Sequence, residues 1–171
     1  MKTNTDGKYI LLSIQPCYAN KIFEGTKKVE LRRSVPKYHK DNIVILYVST
    51  PVKAIVGGFQ FSHVVEENVD DLWNKVKDFA GVTFEQFSNY YSGTNNGYGI
   101  FINRVWKYSN SISLELLRNS WSNFSPPQNF RYLHSSQATD LNLLDFEVSK
   151  SLSHTFSIHP SPTMAFNCKC Q

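Results

Sequence analysis

Cysteines and long apolar runs are both scarce in this sequence of 171 residues. There are only three cysteines, Cys17, Cys168 and Cys170, an odd and sparse set that does not match the disulfide framework of a small secreted domain. The longest apolar run, Ile43 to Val48, is far shorter than the roughly 18 residues of a membrane-spanning helix. The N-terminus also lacks the apolar segment of a signal peptide. We therefore expect a cytoplasmic protein with no membrane partner.

Motifs for nucleoside triphosphates and for metals are missing as well. Gly97-Tyr98-Gly99 is only a fragment of a glycine-rich loop, and it precedes a strand-like segment. Cys168 and Cys170 are separated by one residue, whereas the cysteine pairs of zinc fingers are usually separated by about two to four. The sequence therefore predicts no cofactor and no metal site.

Positive charge is concentrated in the first third of the chain. Residues 1–60 contain ten Lys or Arg and four Asp or Glu, whereas residues 61–171 contain eight and ten. A basic surface attracts the phosphates of a polyanion. We expect a nucleic acid to dock on this third, although a lysine-rich face that contacts only water explains the charge equally well.

The apolar patterns predict an α+β fold. Strand-like segments are expected over Tyr9 to Ile14, Lys28 to Arg33, Ile43 to Val48, Ala54 to Val65 and Tyr98 to Tyr108. Helices are expected between Pro16 and Gly25, over Val69 to Ala80, and after a capping box at Thr83 and Gln86. The adjacent Gly57 and Gly58 predict a bulge or a close approach of two backbones, as at the corner of a barrel. We expect a small mixed β-barrel with two or three helices packed around it.

The composition and periodicity of the sequence change after Leu133. Asp140 to Lys150 has the spacing of one helix, whereas Ser151 to Gln171 is rich in Ser and Pro and shows no period. We therefore predict one domain over residues 8–133 and a C-terminal extension over residues 134–171 that is partly helical and then poorly ordered.

One short stretch, Gly25 to Arg33, combines several groups that suit an anionic ligand. Lys27 can present a point charge to a phosphate or a base carbonyl. The alternation of the strand places Glu30 and Arg32 on the side opposite its apolar residues, where the carboxylate can orient the guanidinium as a bidentate donor. The alternative is a purely structural salt bridge that ties a strand to a helix.

This stretch resembles the ASCH family, whose fold is related to the RNA-binding PUA domain. Gly25, Lys27, Glu30 and Arg32 fit the pattern G-x-K-x-x-E-x-R. The resemblance covers roughly residues 8 to 133, and its other landmarks are Ser13 to Pro16, Tyr47 to Pro51, Ile55 to Gly57, Asp71 to Trp73, and Pro127 to Phe130. It implies a PUA-like barrel with a basic cleft for RNA, a nucleotide or a nucleoside.

The expected ligand-binding residues surround this motif. They are Lys27, Glu30, Arg32, Arg33, Ser13, Tyr47 and Ser49, and Tyr47, Tyr38 and Trp106 are candidates for stacking on a base.

The resemblance leaves the choice between binding and catalysis open. Members of the family have been linked to ribonuclease action and to amide hydrolysis on a modified cytosine nucleoside. If the chain is an enzyme, Lys27 and Glu30 are the catalytic candidates. The amidohydrolase branch has a threonine at the position of Glu30, and Thr26 lies on the wrong side of Lys27 to replace it. Binding of RNA or of a modified nucleotide is therefore our leading hypothesis, with a ribonuclease or a nucleoside amidohydrolase as the alternative.

Overall fold

The computed structural model describes residues 9–37 and 42–142. Its strands are β1 (Tyr9–Ile14), β2 (Val29–Arg32), β3 (Ile43–Val48), β4 (Ala54–Asn68), β5 (Asn96–Ser113) and β6 (Phe130–Leu133). Its helices are α1 (Pro16–Phe23), α2 (Val69–Val76), α3 (Phe84–Tyr91), α4 (Leu114–Ser120) and α5, which covers residues 135–142 at the end of the described region. None of these described helices has both the length and the apolar character that a membrane span requires.

The six strands form one mixed sheet in the order β2-β5-β4-β3-β1-β6. β1 and β3 run parallel, and the other neighbouring pairs of this sheet are antiparallel. Two parallel strands need a crossover connection, and α1 lies within the connection between β1 and β3. The predicted α+β class and mixed sheet are therefore confirmed.

The expectation of a closed barrel is wrong in one respect, because the sheet is open. Its edges are β2 and β6, each of four residues, and within residues 9–37 and 42–142 no backbone pairing joins them. In a flat sheet β2 and β1 would be about 19 Å apart, at about 4.8 Å per strand. Arg32 of β2 nevertheless donates from Nη2 to the Ser13 carbonyl of β1 at 2.8 Å. The sheet is therefore strongly curled, and a side chain bridges the seam between β2 and β1 that backbone pairing would otherwise close.

Three buried clusters hold the helices on the sheet. The first packs α1, through Ala19 and Ile22, against one face of β1, β3 and β4. The second packs Leu117 of α4 and Leu141 of α5 against the other face of β1 and β3. The third packs α2 and α3 against Val29 and Leu31 of β2. The first cluster therefore holds α1 on the sheet, and the third holds α2 and α3 on the edge strand β2.

The predicted alternation in β2 is confirmed, although all four of its residues are buried. Val29 and Leu31 belong to the α2 and α3 cluster, whereas the side chains of Glu30 and Arg32 meet in a cavity that Leu31 also borders. The capping box that was predicted for α3 is also present, since Gln86 N donates to Thr83 Oγ1 at 3.2 Å and Thr83 N donates to Gln86 Oε1 at 3.0 Å.

The second helix ends earlier than its apolar spacing predicts, at Val76 instead of Ala80. The Phe79 carbonyl accepts hydrogen bonds from Lys28 N at 2.7 Å and from Val29 N at 3.1 Å. After Val76 the chain continues as a tight turn, because Phe79 N and Ala80 N both donate to the Val76 carbonyl at 2.8 Å. One helix, α4, was not predicted from the sequence.

The predicted helix of the C-terminal extension begins earlier, as α5 at residue 135 rather than at Asp140. It packs against α4 and the loop after it, because Trp121 Nε1 donates to Asp140 Oδ2 at 3.0 Å and Leu141 is fully buried. Residues 143–171, with the rest of that predicted helix and the Ser- and Pro-rich segment, lie outside the described residues. The domain boundary after residue 133 stays a prediction.

The close approach that was predicted at Gly57 and Gly58 is confirmed and gives a test of the fold. A Cβ atom at Gly58 would overlap the Val44 carbonyl oxygen and lie 2.6 Å from Trp106 Cζ2. We expect Gly58→Ala to lower the free energy of unfolding by about 3 kcal/mol, because a backbone oxygen in a sheet cannot move away. The control is Gly93→Ala, where a Cβ meets nothing within 4 Å and only the φ of +78° is unfavourable, so about 1 kcal/mol is expected. Urea unfolding measures both, and equal losses would contradict this account.

Candidate functional site

A cavity of ≈ 550 Å³ lies beside the seam between β2 and β1. Its walls come from the end of β1, from α1, from the turn and strand that follow α1, from the residue after β3, from α3 and from the segment before β6. Cavities of about 300–1,000 Å³ are typical of sites for small ligands. The volume is therefore sufficient for one nucleotide.

The turn that leads into the cavity depends on a glycine. Gly25 follows the C-cap residue Glu24 of α1 and has a φ of +77°, a conformation that favours glycine. The chain then returns along α1, and Lys27 N donates to the Lys21 carbonyl at 3.0 Å. This turn places Lys27 in the cavity wall immediately before β2 begins.

Lys27 is the most buried cation of the site, with 3% of its surface exposed. Its Nζ donates to the Ala80 carbonyl at 2.8 Å and lies 3.4 Å from Glu30 Oε2. The Nζ also lies 5.3 Å from the centre of the Tyr18 ring. Burial lowers the pKa of Lys27, and the neighbouring Glu30 carboxylate opposes that effect.

Glu30 joins Lys27 to Arg32, because its Oε1 lies 2.8 Å from Arg32 Nη2. The Arg32 guanidinium also donates from Nη1 to Asn129 Oδ1 at 3.0 Å and from Nη2 to the Ser13 carbonyl. Its Nε is buried and has no hydrogen-bond partner among the described residues. Two cations share one carboxylate, so the network formed by Lys27, Glu30 and Arg32 has a net positive charge.

Two tyrosines flank this network, and sequence reasoning missed both as ligand contacts. Tyr18 of α1 and Tyr90 of α3 line the same cavity. Burial raises the pKa of both phenols, so both remain neutral at pH 7. Tyr18 lies seven residues before Gly25, the glycine that leads into the motif, and this place in the sequence is the signal that could have identified it.

The structure brings together most of the predicted ligand-binding residues. Ser13, Ser49, Lys27, Glu30 and Arg32 all line the cavity. The Ser49 hydroxyl has no partner in the described part of the chain, whereas Ser13 Oγ donates to the Pro127 carbonyl at 2.5 Å.

Arg33 lies at the edge of the site, where it reaches the cavity through Tyr90. Its Nε donates to the Tyr90 carbonyl at 2.7 Å, and its guanidinium carbon lies 5.2 Å from the centre of the Tyr90 ring. The arginine therefore holds Tyr90 in place at the mouth of the cavity.

Two of the predicted stacking residues lie outside the cavity, and the third is not described. Tyr47 is buried in the cluster with α4 and α5, because it has the same orientation in β3 as Ile45. Trp106 packs at the edge of that cluster. Tyr38 lies outside the described residues. The aromatic residues that line the cavity are therefore Tyr18, Tyr90 and the buried Phe87.

Comparison with known proteins defines the class of this domain. The family model of the ASCH domain matches residues 12–118, more than half of the sequence. The chain therefore belongs to the ASCH domain family, and the predicted ASCH-type, PUA-like fold is confirmed.

Both the sequence and the fold are similar to those of a bacterial protein. The sequence is 29% identical over 143 residues to the "ASCH domain-containing ribonuclease" of Zymomonas mobilis, an alignment that covers 84% of this chain and 96% of that protein. The crystal structure of ASCH from Zymomonas mobilis matches this fold with a TM-score of 0.76 and 27% identity over 80% of this chain and 95% of the other. Crystal structures of two mutants of that protein match with the same TM-score.

The buried network predicts that removal of its carboxylate strongly lowers the free energy of unfolding. Glu30→Gln leaves two buried cations without their counter-ion, so we expect the free energy of unfolding to fall by about 3–5 kcal/mol. Glu67→Gln is the matched control, because Glu67 pairs with Lys75 on the surface and such pairs contribute less than about 1 kcal/mol. Chemical denaturation compares the two, and a loss at Glu30 no larger than that at Glu67 would refute the proposed strength of the network.

Tyr91 predicts a dependence of stability on alkaline pH. Its buried hydroxyl shares its one proton between the carbonyls of Arg32 at 3.2 Å and of Tyr98 at 3.1 Å, and burial raises the pKa of the phenol. Below pH 10 the phenol is protonated in both states, so its contribution to stability is complete. Above pH 10 the unfolded chain ionises first, and that contribution is lost as the pH rises.

We therefore expect Tyr91→Phe to cost about 1–2 kcal/mol at pH 7 and to make the decline of stability above pH 10 less steep. Tyr132→Phe is the control, because Tyr132 is an exposed residue whose hydroxyl donates to the Lys37 carbonyl. Urea unfolding at pH 7 and at several values above 10 measures both effects. An unchanged alkaline slope in Tyr91→Phe would show that this phenol does not carry the effect.

Proposed function

We propose that this ASCH domain binds single-stranded RNA, with one nucleotide held in the cavity. The observation that carries the proposal is the buried network of Lys27, Glu30 and Arg32, which gives the cavity a net positive charge. A phosphate is the ligand that suits this charge, because a guanidinium and an ammonium favour phosphate oxygens. A cytoplasmic location is part of the same proposal.

The tyrosines supply the surface for a base. Tyr18 is half-buried and Tyr90 is exposed at the mouth of the cavity, so both offer a ring to a ligand. Stacking of a base on an aromatic ring stabilises complexes with single strands by about 1–3 kcal/mol per base. The bases of an RNA duplex are paired and stacked, and therefore an unpaired nucleotide fits the cavity better.

The same site supports a nucleotide or a nucleoside as the ligand, including one with a modified base. The amide side chains of Asn89 and Gln128 line the cavity and have no partner within the described residues. Amides can donate and accept hydrogen bonds at the edge of a base. They are the groups that would distinguish one base from another.

A second candidate function, ribonuclease action, is favoured by one comparison and by one feature of the site. The Zymomonas mobilis relative is called a ribonuclease, and the lowered pKa of Lys27 makes a neutral amine more accessible as a general base. Arg32 would then stabilise the charge of the phosphorane. Binding remains the leading proposal, because in this structure the Lys27 Nζ donates to the Ala80 carbonyl and is paired with Glu30.

Nucleoside amidohydrolase activity has less support from the site. Thr26 is exposed, and its hydroxyl donates to the Lys21 carbonyl at 3.2 Å. The position that would need a threonine nucleophile holds Glu30, whose carboxylate is already shared between two cations.

Fluorescence anisotropy with a labelled single-stranded RNA tests the proposal. We expect Arg32→Lys and Tyr90→Ala each to weaken binding about tenfold or more, because the first removes the bidentate guanidinium and the second removes a ring on which a base can stack. Lys75→Gln is the control, since that surface lysine pairs with Glu67 and lies outside the cavity wall. Affinity should also fall as salt is raised. Unchanged affinity in both cavity variants, with folding verified by circular dichroism, would exclude this site.

Incubation with labelled RNA and with acylated cytidine separates binding from catalysis. Products that disappear with Lys27→Met would favour an enzyme, whereas binding without products would favour the leading proposal.

A further inference from the structure

Three aromatic rings that the cavity does not use form a group on the other face of the sheet. We define the aromatic platform as His63 of β4, Phe101 of β5 and Phe79, which follows α2. The His63 ring stacks on Phe101, with centroids 4.2 Å apart and an interplanar angle of 14°. The Phe79 ring lies 6.1 Å from Phe101 at 57°.

The register of the strands places this platform opposite the cavity. Phe101 pairs with both Val29 and His63. The side chain of Val29 faces α2 and α3, whereas that of Glu30 faces the cavity. The platform and the cavity therefore lie on the two faces of the same edge strand, β2.

The platform is accessible to a partner. Phe79 is 41% exposed, His63 is exposed, and Phe101 is half-buried because its inner side packs on the cluster of α2 and α3. Large exposed aromatic side chains that contact one another are unusual on a surface without a binding role. Phe101 is the half-buried ring of the group, and the rings of His63 and Phe79 are exposed to solvent.

Lysines without an ion-pair partner lie close to these rings along the chain. Lys28 and Lys77 are exposed, Lys77 comes two residues before Phe79, and neither has an ion pair with another residue of the described segments. The backbone of Lys28 lies next to the platform, because its N–H donates to the Phe79 carbonyl at 2.7 Å and its carbonyl accepts from Ile102 N at 3.0 Å. Asp78 lies between Lys77 and Phe79 in the chain. Exposed rings next to cations suit the bases and phosphates of a nucleic acid strand, whereas an acidic surface would repel the phosphates.

The platform is continuous with the cavity through two consecutive residues. Lys27 points into the cavity and Lys28 lies beside the platform, and both belong to the turn that begins the edge strand. No strand in the described region lies beyond β2 on that side. A single strand of RNA that leaves the cavity therefore has an open path around the start of β2.

We propose that the aromatic platform is a second contact for single-stranded RNA, in which bases stack on Phe79 and His63 while Lys28 holds a phosphate. This inference rests on the proposed function of the cavity, and it adds the direction in which the RNA continues. Stacking tolerates any base, so the platform would add affinity without sequence preference. Two contacts on one strand also strengthen each other, because the second contact forms within the same complex.

The test compares a dinucleotide with a single-stranded RNA of about ten nucleotides, a length within the site sizes of single-strand binding folds. The longer RNA should bind the wild-type chain more tightly than the dinucleotide. Phe79→Ala and His63→Ala should each weaken binding of the longer RNA about fivefold or more, and leave that of the dinucleotide unchanged. His63→Phe keeps a ring at this position and should retain the affinity for the longer RNA.

Phe84→Ala is the matched control, because Phe84 is 60% exposed and its ring contacts Trp73 but none of the platform rings. The inference is overturned if the platform variants bind the longer RNA as wild type does, or no worse than Phe84→Ala. If the platform variants bind the longer RNA as wild type does while Arg32→Lys still weakens binding of both RNAs, the cavity proposal stands and the platform proposal fails. If wild type binds neither RNA, both proposals fail.

Discussion

The site depends on one buried ion cluster, in which Glu30 holds Lys27 and Arg32 within hydrogen-bond or ion-pair distance. Burial of any one of these charges alone would be costly, because an unpaired ion loses its hydration without compensation. Together they offset one another's loss of hydration, and the cluster of two cations and one carboxylate has one formal positive charge in excess. That excess charge is what makes the cavity a candidate site for a phosphate.

The same cluster also takes the place of a missing strand pair. Arg32 donates across the seam between β2 and β1 to the Ser13 carbonyl, and to Asn129, whose amide group also donates to Ser34 Oγ at 3.0 Å. A backbone ladder at this seam would fill the space in which the cavity lies. The open sheet and the cavity are therefore two consequences of one arrangement, in which β2 remains an edge strand of the sheet.

Local patterns predicted much of this site because they act over a few residues. The alternation in β2 placed Glu30 and Arg32 on one side, and the glycine at position 25 predicted the turn that presents Lys27. The positions of Tyr47 and Tyr90 could not be predicted in the same way. Tyr47 faces away from the cavity because of its orientation in β3, and Tyr90 reaches the cavity because α3 packs over β2. Both facts depend on how distant elements pack. The curl of the sheet is likewise a tertiary property, since it appears only when Arg32 and Ser13 are seen in contact.

Nuclear magnetic resonance of the Arg32 side chain tests the central claim most directly. The Arg32 Nε–H has no partner in the described part of the chain, so its resonance should respond to an anion that binds beside the guanidinium. On titration with a short single-stranded RNA, we expect this resonance and the backbone amides of Lys27 and Tyr90 to shift together and to saturate at one affinity. Shifts confined to residues outside the cavity, with the Arg32 resonance unchanged, would show that Lys27, Glu30 and Arg32 form only a structural cluster.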